Sequence, residues 1–366
     1  MMKRSIAFLV VLTLASLASA CGPRTGAGST GRAAPGEFGG SAAEDDRSVA
    51  NFYQGKTVRF VVGFAPGGGF DTYTRAIARH IGKHIPGNPA IIVDNMTGGG
   101  SLTAANYVYG GTRPDGLTIG NWIGPMILQQ ILGGEGVEFD PLKYKYIGAP
   151  TPDTLVCAVR KDSGIRSLTD LITSQQPVIL GGSAPGSSTD DTPKVLAAAL
   201  GFNLRLVSGY SGTATIRQAA DNGEVQGGCW AWESIKVTWK AAIESGEALV
   251  IGQAVDKKHP DLPNVENALD LAKTEEARQL LRAGVLIPGV ITRLYAVHPD
   301  IPPARLQALR QAFLATLKDP EFLAEAQTAR LDVDPIPGEE IERLVGELFA
   351  LPDSMKARLK SVLVGP

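Results

Sequence analysis

Two spacings of apolar residues alternate along the first two thirds of the chain, and only one persists afterwards. Residues 56–64 (KTVRFVVGF) form a β-branched, apolar run bounded by Gly and Pro, which predicts a buried strand. Ala65-Pro66-Gly67-Gly68-Gly69 is a tight loop. Asp71 then stands where an N-cap belongs, and Tyr73, Ile77 and Ile81 follow at helical spacing until Pro86-Gly87-Asn88-Pro89 stops the helix. A second strand (90–94), a second Gly-rich loop (98–100), a second helix (102–110) and a third strand (117–121) follow. Strands and helices joined by short loops predict a parallel sheet covered on both faces. The alternation restarts near 155–159 (LVCAV). A short helix (167–173), a strand (178–181), the loop 182–191 and a helix to about Leu200 come next. Strands at 203–208, 225–232 and 249–252 complete this unit, with a helix between the first two that ends near Asn222-Gly223. The 225–232 strand places Trp230 and Trp232 on one face. From Pro303 onward the spacing is helical only, at 303–318, 320–330, 339–348 and 355–362, punctuated by prolines.

The N-terminus obeys different rules. Lys3 and Arg4 precede an apolar run from Ile6 to Leu17, and Ala18-Ser19-Ala20 leads to Cys21, which predicts a secretory signal over residues 1–20. The run is too short to remain as a membrane span. Leu17-Ala18-Ser19-Ala20-Cys21 resembles a bacterial lipobox, implying lipidation of Cys21, although Ala18 stands where Leu is commonest. The alternative is cleavage at an ordinary Ala-x-Ala site. Residues 22–50 are rich in Gly, Ala, Ser and charge with no apolar period, so 21–51 is expected to be a flexible tether. The remaining 315 or so residues suit two domains. A formal net charge of −2 with no basic cluster argues against nucleic-acid partners. Cys157 and Cys229 could pair in an oxidising compartment or remain two buried thiols.

Three Gly/Ser-rich loops end at helix starts: residues 65–71, 182–191 and 210–213. Helix starts present unpaired N–H groups and partial positive charge, and glycine lets a ligand approach the backbone closely. Such loops at the carboxyl ends of strands line the crevice of open α/β sheets. Two sheets facing one another would hold a carboxylate between their helix starts without a lysine. The first loop is neither a Walker loop nor a dinucleotide fingerprint. Gly182-Ser183-Ala184-Pro185-Gly186 does not match a nucleophile elbow. His80 and His84 have a spacing that can hold zinc, but no third ligand accompanies them, and they sit with Arg75, Arg79 and Lys83 on what reads as a basic solvent face. No metal, cofactor or catalytic residue is expected.

The runs VRFVVGFAPGGGFDTYTRAIARHI, IIVDNMTGGGSLTAANYV, RPDGLTIGN, LVCAVRKDSGIRSLTDL, GGSAPGSST and GYSGTATIRQAADNGEVQGG resemble the substrate-binding receptors of tripartite tricarboxylate transporters, the Bug family. The resemblance is strong over residues 52–228 and looser in the C-terminal helices. It implies an α/β, periplasmic-binding-protein type II-like fold, with two α/β domains, a ligand cleft between them and a hinge. It also implies delivery of a carboxylate ligand to a two-component integral-membrane permease. Matching positions put ligand contacts at Phe64, Ala65, Pro66, Gly67, Gly68 and Gly69, at Ser183, Ser187, Ser188 and Thr189, and at Tyr210, Gly212, Thr213 and Ala214. Ser211 stands where the family commonly has Lys. Trp230, Trp232 and Glu233 lie where shorter residues, often with an Asp, are usual. Trp232 or Trp230 is expected to stack on the ligand while Glu233 meets an amino group or hydroxyl. The alternative makes one tryptophan core and Glu233 solvated. Asp71 is expected to be a helix cap, or else a partner for a ligand amino or hydroxyl group.

These readings assign 52–152 with 281–366 to one domain and 153–280 to the other, with crossings near 149–159 and 280–291. The function expected is an extracytoplasmic solute-binding receptor, monomeric, anchored to the membrane by lipid and without enzymatic activity. A receptor presenting its ligand to a sensor kinase is the runner-up. An exported hydrolase is the third reading, for which the loops supply only Asp71 and Glu233 as acidic candidates.

Overall fold

The computed structural model describes residues 46–210 and 212–365, with the backbone alone at Val237. The signal segment and Cys21 lie outside the described residues. A helix, Asp46–Tyr53, opens the described chain and buries Val49 and Tyr53. It therefore takes in the last residues of the stretch expected to be a tether. The sequence disguises it: Val49 and Tyr53 lie four apart, one helical turn, but the segment before them supplies no further apolar position.

Among the described residues, eleven strands build two sheets. The first contains β1 (Thr57–Val62), β2 (Ala90–Asn95), β3 (Thr118–Asn121), β4 (Lys145–Ala149), β10 (Tyr295–Val297) and β11 (Ile336–Pro337), in the order β11-β4-β10-β3-β1-β2. The second contains β5 (Leu155–Arg160), β6 (Val178–Gly181), β7 (Leu204–Val207), β8 (Gly227–Ala231) and β9 (Ala248–Ala254), in the order β7-β6-β8-β5-β9. Strands β1, β2 and β3 run parallel, as do β6, β7 and β8. Both sheets are nevertheless mixed. β10 lies antiparallel between β3 and β4, and β5 lies antiparallel between β8 and β9. These reversed strands follow the two passages of the chain between the sheets, β4 to β5 and β9 to β10.

Alternating side chains serve both faces of each sheet. In β1, Val58 and Phe60 pack under helices Gly69–Ile81 and Pro303–Thr316, while Val61 enters the opposite core. In β5, Leu155, Cys157 and Val159 face one core, and Val156 and Ala158 face the cluster around Trp230 and Trp239. This is the two-residue period of a strand buried on both sides. Cys157 sits directly opposite Cys229 across β5 and β8, and the two form a disulfide. Backbone bonds from Arg160 to Gln226 and from Trp232 to Thr154 place that pair at a non-hydrogen-bonded position of the ladder, where opposing side chains come closest.

The two passages lie side by side. Asp153 N–H donates to Gly289 O at 3.0 Å; the segment leading into β11 also reaches the first passage, where Asp334 N–H donates to Pro150 O at 2.9 Å. The second passage winds through helix Glu275–Leu281, a π-helical turn Arg282–Leu286 and helix Ile287–Val290 before entering β10.

The histidine face packs partly on another helix, with Arg79 and Lys83 still exposed. His80 and Arg79 bind Glu325, and His84 binds Asp319 at 2.7 Å. Lys83 Nζ lies 2.8 Å from Asp319 and 2.5 Å from Glu321. Helix Pro320–Ala329 and its Asp319 cap supply those acids, so the basic stripe forms a partly exposed seam between two helices. Its acidic complement lies some 240 residues away in sequence, beyond the reach of local pattern.

Candidate functional site

Two turns of the same sequence and shape stand at the starts of two thirteen-residue helices, Gly69–Ile81 and Ser188–Leu200. They are Ala65-Pro66-Gly67 and Ala184-Pro185-Gly186. Proline presets the first corner, and glycine takes the second at φ 80° and 84°. In the second turn Ser187 N–H closes the loop onto Ala184 O at 3.1 Å. Each helix then sends back a carboxylate from its first turns. Asp71 Oδ2 accepts from Gly67 N–H at 2.8 Å, and Asp191 Oδ1 accepts from Gly186 N–H at 3.1 Å.

These latches change the expected donor set. The glycine amides at the turn corners are occupied, so the backbone donors left for a ligand are those just inside each helix. Asp71 is not the cap: Gly68 holds that place and Asp71 is the third helical residue, buried and turned onto its own loop. Arg75 Nε (2.9 Å) and the Asn95 amide (2.9 Å) complete its partners. Burial favours its neutral form, yet these donors outweigh burial and hold its carboxyl below the ordinary range. Asp191 has no such company. Its Oδ2 is buried without a partner, and burial pushes its pKa up to about 7.

Within the second loop the structure brings Ser183, Ser187 and Thr189 together. Their hydroxyl oxygens form a triangle with sides of 2.9, 2.7 and 2.9 Å, and Thr189 Oγ1 also accepts from Ser183 N–H. Ser188 is the first residue of the helix beside them. Farther along, Tyr210 N–H donates to Gly182 O, and Gly212 caps the helix Thr213–Asp221 that carries Thr213 and Ala214. Phe64 packs on Phe70 with ring centres 4.4 Å apart, while Ala65 through Gly69 are exposed. No hydrogen bond joins the two Ala-Pro-Gly turns among the described residues; the second rests instead on Gln129.

Between the sheets lies a group absent from the expected site. Arg293, on the second passage, is 5% exposed. Its Nε donates to Asp153 Oδ1, on the first passage, at 2.6 Å. Its guanidinium carbon stands 5.1 Å from the Phe70 ring centre and 4.9 Å from that of Tyr73. A methyl group on Gly69 would come within 3.2 Å of Nη1. That Nη1 is buried and has no acceptor. Burial opposes the charge on Arg293, but the Asp153 carboxylate more than restores it. An unpaired donor on a buried cation is costly unless something fills its direction. The sequence did carry a signal: Arg293 is the one charged residue in the fifteen-residue run AGVLIPGVITRLYAV.

Glu233 belongs to the same cluster. It is 8% exposed rather than solvated, and Oε2 accepts from Thr154 N–H at 3.0 Å. Burial, then the nearby Asp153 carboxylate, pushes its pKa up to about 7. Trp232 begins a helix rather than ending a strand, and its indole N–H donates to Asp261 at 2.9 Å. Trp230 lies stacked on Trp239 in the core, with centroids 5.8 Å apart. A cavity of about 550 Å³ opens nearby, lined by Lys236, Leu323, Gln327, Arg330, Leu331 and Asp332 among others. None of the glycine loops lines it, although Tyr73 touches its wall by donating to Asp332 O.

Comparison with known proteins bears on what such an arrangement serves. No family model matches the chain. Over 303 residues it is 27% identical to the UPF0065 protein in the gbd 5′ region of Cupriavidus necator, covering 81% of this chain and 84% of that protein. A TctC solute-binding protein from Polaromonas superposes with a TM-score of 0.63 at 16% identity, over 86% of this chain and all of that one. MatC from Rhodopseudomonas palustris, solved with malate, gives 0.62 at 20% identity, over 84% and 99% of the two chains. A second R. palustris protein, solved with adipate, gives 0.64 at 20% identity, over 84% and 98%.

Proposed function

We propose that this chain, which resembles the TctC and Bug proteins in sequence and shares the fold of periplasmic solute-binding proteins, is an extracytoplasmic receptor. It captures a small carboxylate between two lobes and hands it unchanged to a tripartite tricarboxylate-type permease. The observation that carries the reading is the unpaired Nη1 of buried Arg293, set against Gly69 where the first glycine turn meets the inter-sheet passages. A carboxylate oxygen supplies the acceptor that direction lacks, and helix-start amides of Gly69–Ile81 supply further donors.

Residues 52–152 with 281–366 form one lobe in this proposal and 153–280 the other, hinged at the adjoining passages. The Asp153–Arg293 pair spans those passages, so a ligand on Nη1 touches the hinge directly. The first 20 residues are an export signal, Cys21 carries lipid, and the following segment lets a monomeric receptor reach its permease from the membrane surface. Among the described residues no helix is long and apolar enough to cross a membrane.

Thermal unfolding of the mature chain with a panel of carboxylates tests this. A ligand at 100 times its Kd adds about 2.7 kcal/mol of stability. Arg293→Gln, if folded by circular dichroism, should lose the ligand-induced shift. A shift that survives in Arg293→Gln would remove Arg293 from the site. No shift with any carboxylate would end the reading.

A further inference from the structure

The charges around Arg293 narrow the ligand further, on the premise that the cleft receives a carboxylate. One guanidinium serves this centre. Asp153 already occupies its Nε, and the Glu233 carboxylate sits beside it, accepting from the N–H of the next residue, Thr154, at 3.0 Å. Two neighbouring cations are committed elsewhere. Lys236 lies 2.6 Å from Asp332 and 3.7 Å from Asp261, and Arg75 is held by Asp71 and Asn95. Tyr73 brings no charge at neutral pH, since burial raises it beyond the ordinary phenol.

A single ligand carboxylate on Nη1 therefore enters a region with one cation and two acids. A second ligand carboxylate beside the first would find Lys236 and Arg75 already paired and would face Asp153 or Glu233, and like charges in a poorly solvated site repel strongly. A cationic nitrogen reverses that balance: it satisfies the surplus acid and removes the repulsion the first carboxylate creates. We propose that the ligand is a zwitterion with one carboxylate and one ammonium group, the carboxylate on Arg293 Nη1 and the ammonium against Glu233 and Asp153. Specificity then comes from a charge pattern, positive beside negative, laid across the two passages. Glu233 discriminates among ligands, and Arg293 anchors all of them.

The test is calorimetric titration of the mature chain at pH 7.5 with length-matched probes: hexanoate, adipate, 2-aminohexanoate and 6-aminohexanoate, then the corresponding four-carbon set. One of the amino compounds should bind at least tenfold more tightly than the acid and the diacid of its length. Glu233→Gln, with its fold checked by circular dichroism, should cut that preference at least tenfold. Adipate or hexanoate binding as tightly as both amino isomers overturns the zwitterion and keeps the carboxylate receptor. So does an unchanged preference in Glu233→Gln. Silence from every probe of both lengths overturns the zwitterion and the carboxylate reading together.

Discussion

The two turn latches have the same geometry and opposite electrostatics, and Asp191→Asn separates them. Asp191 carries its proton in the folded chain up to a pKa of about 7, against an ordinary value of 3.8. A carboxyl raised on folding contributes no penalty below its unfolded pKa. It costs stability progressively as pH rises from there to the folded pKa, because the unfolded chain releases its proton first. The full interval is worth about 4 kcal/mol at 1.36 kcal/mol per pH unit, of which roughly 2–3 kcal/mol falls between pH 5 and pH 8. Solvent screening does not shrink this figure much, since Asp191 is 3% exposed and its Oδ2 has no partner. Asn at this position keeps an acceptor for Gly186 N–H and carries no proton to lose. Urea unfolding at pH 5 and pH 8 should show the wild type losing this increment relative to Asp191→Asn, which should be the more stable chain at pH 8. Glu233 titrates over the same window in both proteins and cancels in the comparison. Parallel stability–pH curves for the two proteins would refute the argument and mean that Asp191 is ionised in the fold.

Three further outcomes follow from other parts of the structure. Replacing both Cys157 and Cys229 by alanine frees a closure spanning 72 residues, so the midpoint in urea should fall by the equivalent of about 2–4 kcal/mol, and a reductant should change the wild type alone. Gly67→Ala forces a side chain into φ 80°, with open space around it, and should cost about 1–2 kcal/mol by chemical denaturation from backbone strain alone. Gly69→Ala has no such strain but sets a methyl 3.2 Å from Arg293 Nη1; its stability should change little while ligand affinity falls, and unchanged affinity would separate that amide edge from the site.

What the sequence disclosed follows the range of the forces involved. The strand at 178–181 and the helices after Pro303 were readable because a buried face imposes its period within ten residues. Strands β4, β10 and β11 were not. They are five, three and two residues long, and their existence depends on partners far along the chain: β10 forms because the returning passage falls between β3 and β4. The reversed direction of β5 and β10 is a consequence of that return, which no local pattern encodes. The cysteines became a pair for the same reason, once β5 and β8 were set opposite one another.

The site divides along the same line. Loops ending at helix starts were legible, since Ala-Pro-Gly before a helix is a local signal. The ownership of their amides was not, because Asp71 and Asp191 reach back from inside the helices. Arg293 shows the limit most sharply. A lone arginine in an apolar run must either find a partner or reach solvent, and the run itself does not say which. Its partner, Asp153, comes from the other passage 140 residues earlier, and that pairing uses one edge of the guanidinium and leaves Nη1 without an acceptor. The fold thus does two things with one residue: it ties the passages together and keeps a buried donor unfilled. In the proposed receptor, that unfilled donor beside an exposed glycine turn gives Arg293 a binding role in addition to its bracing one, and Arg293→Gln tests the two together.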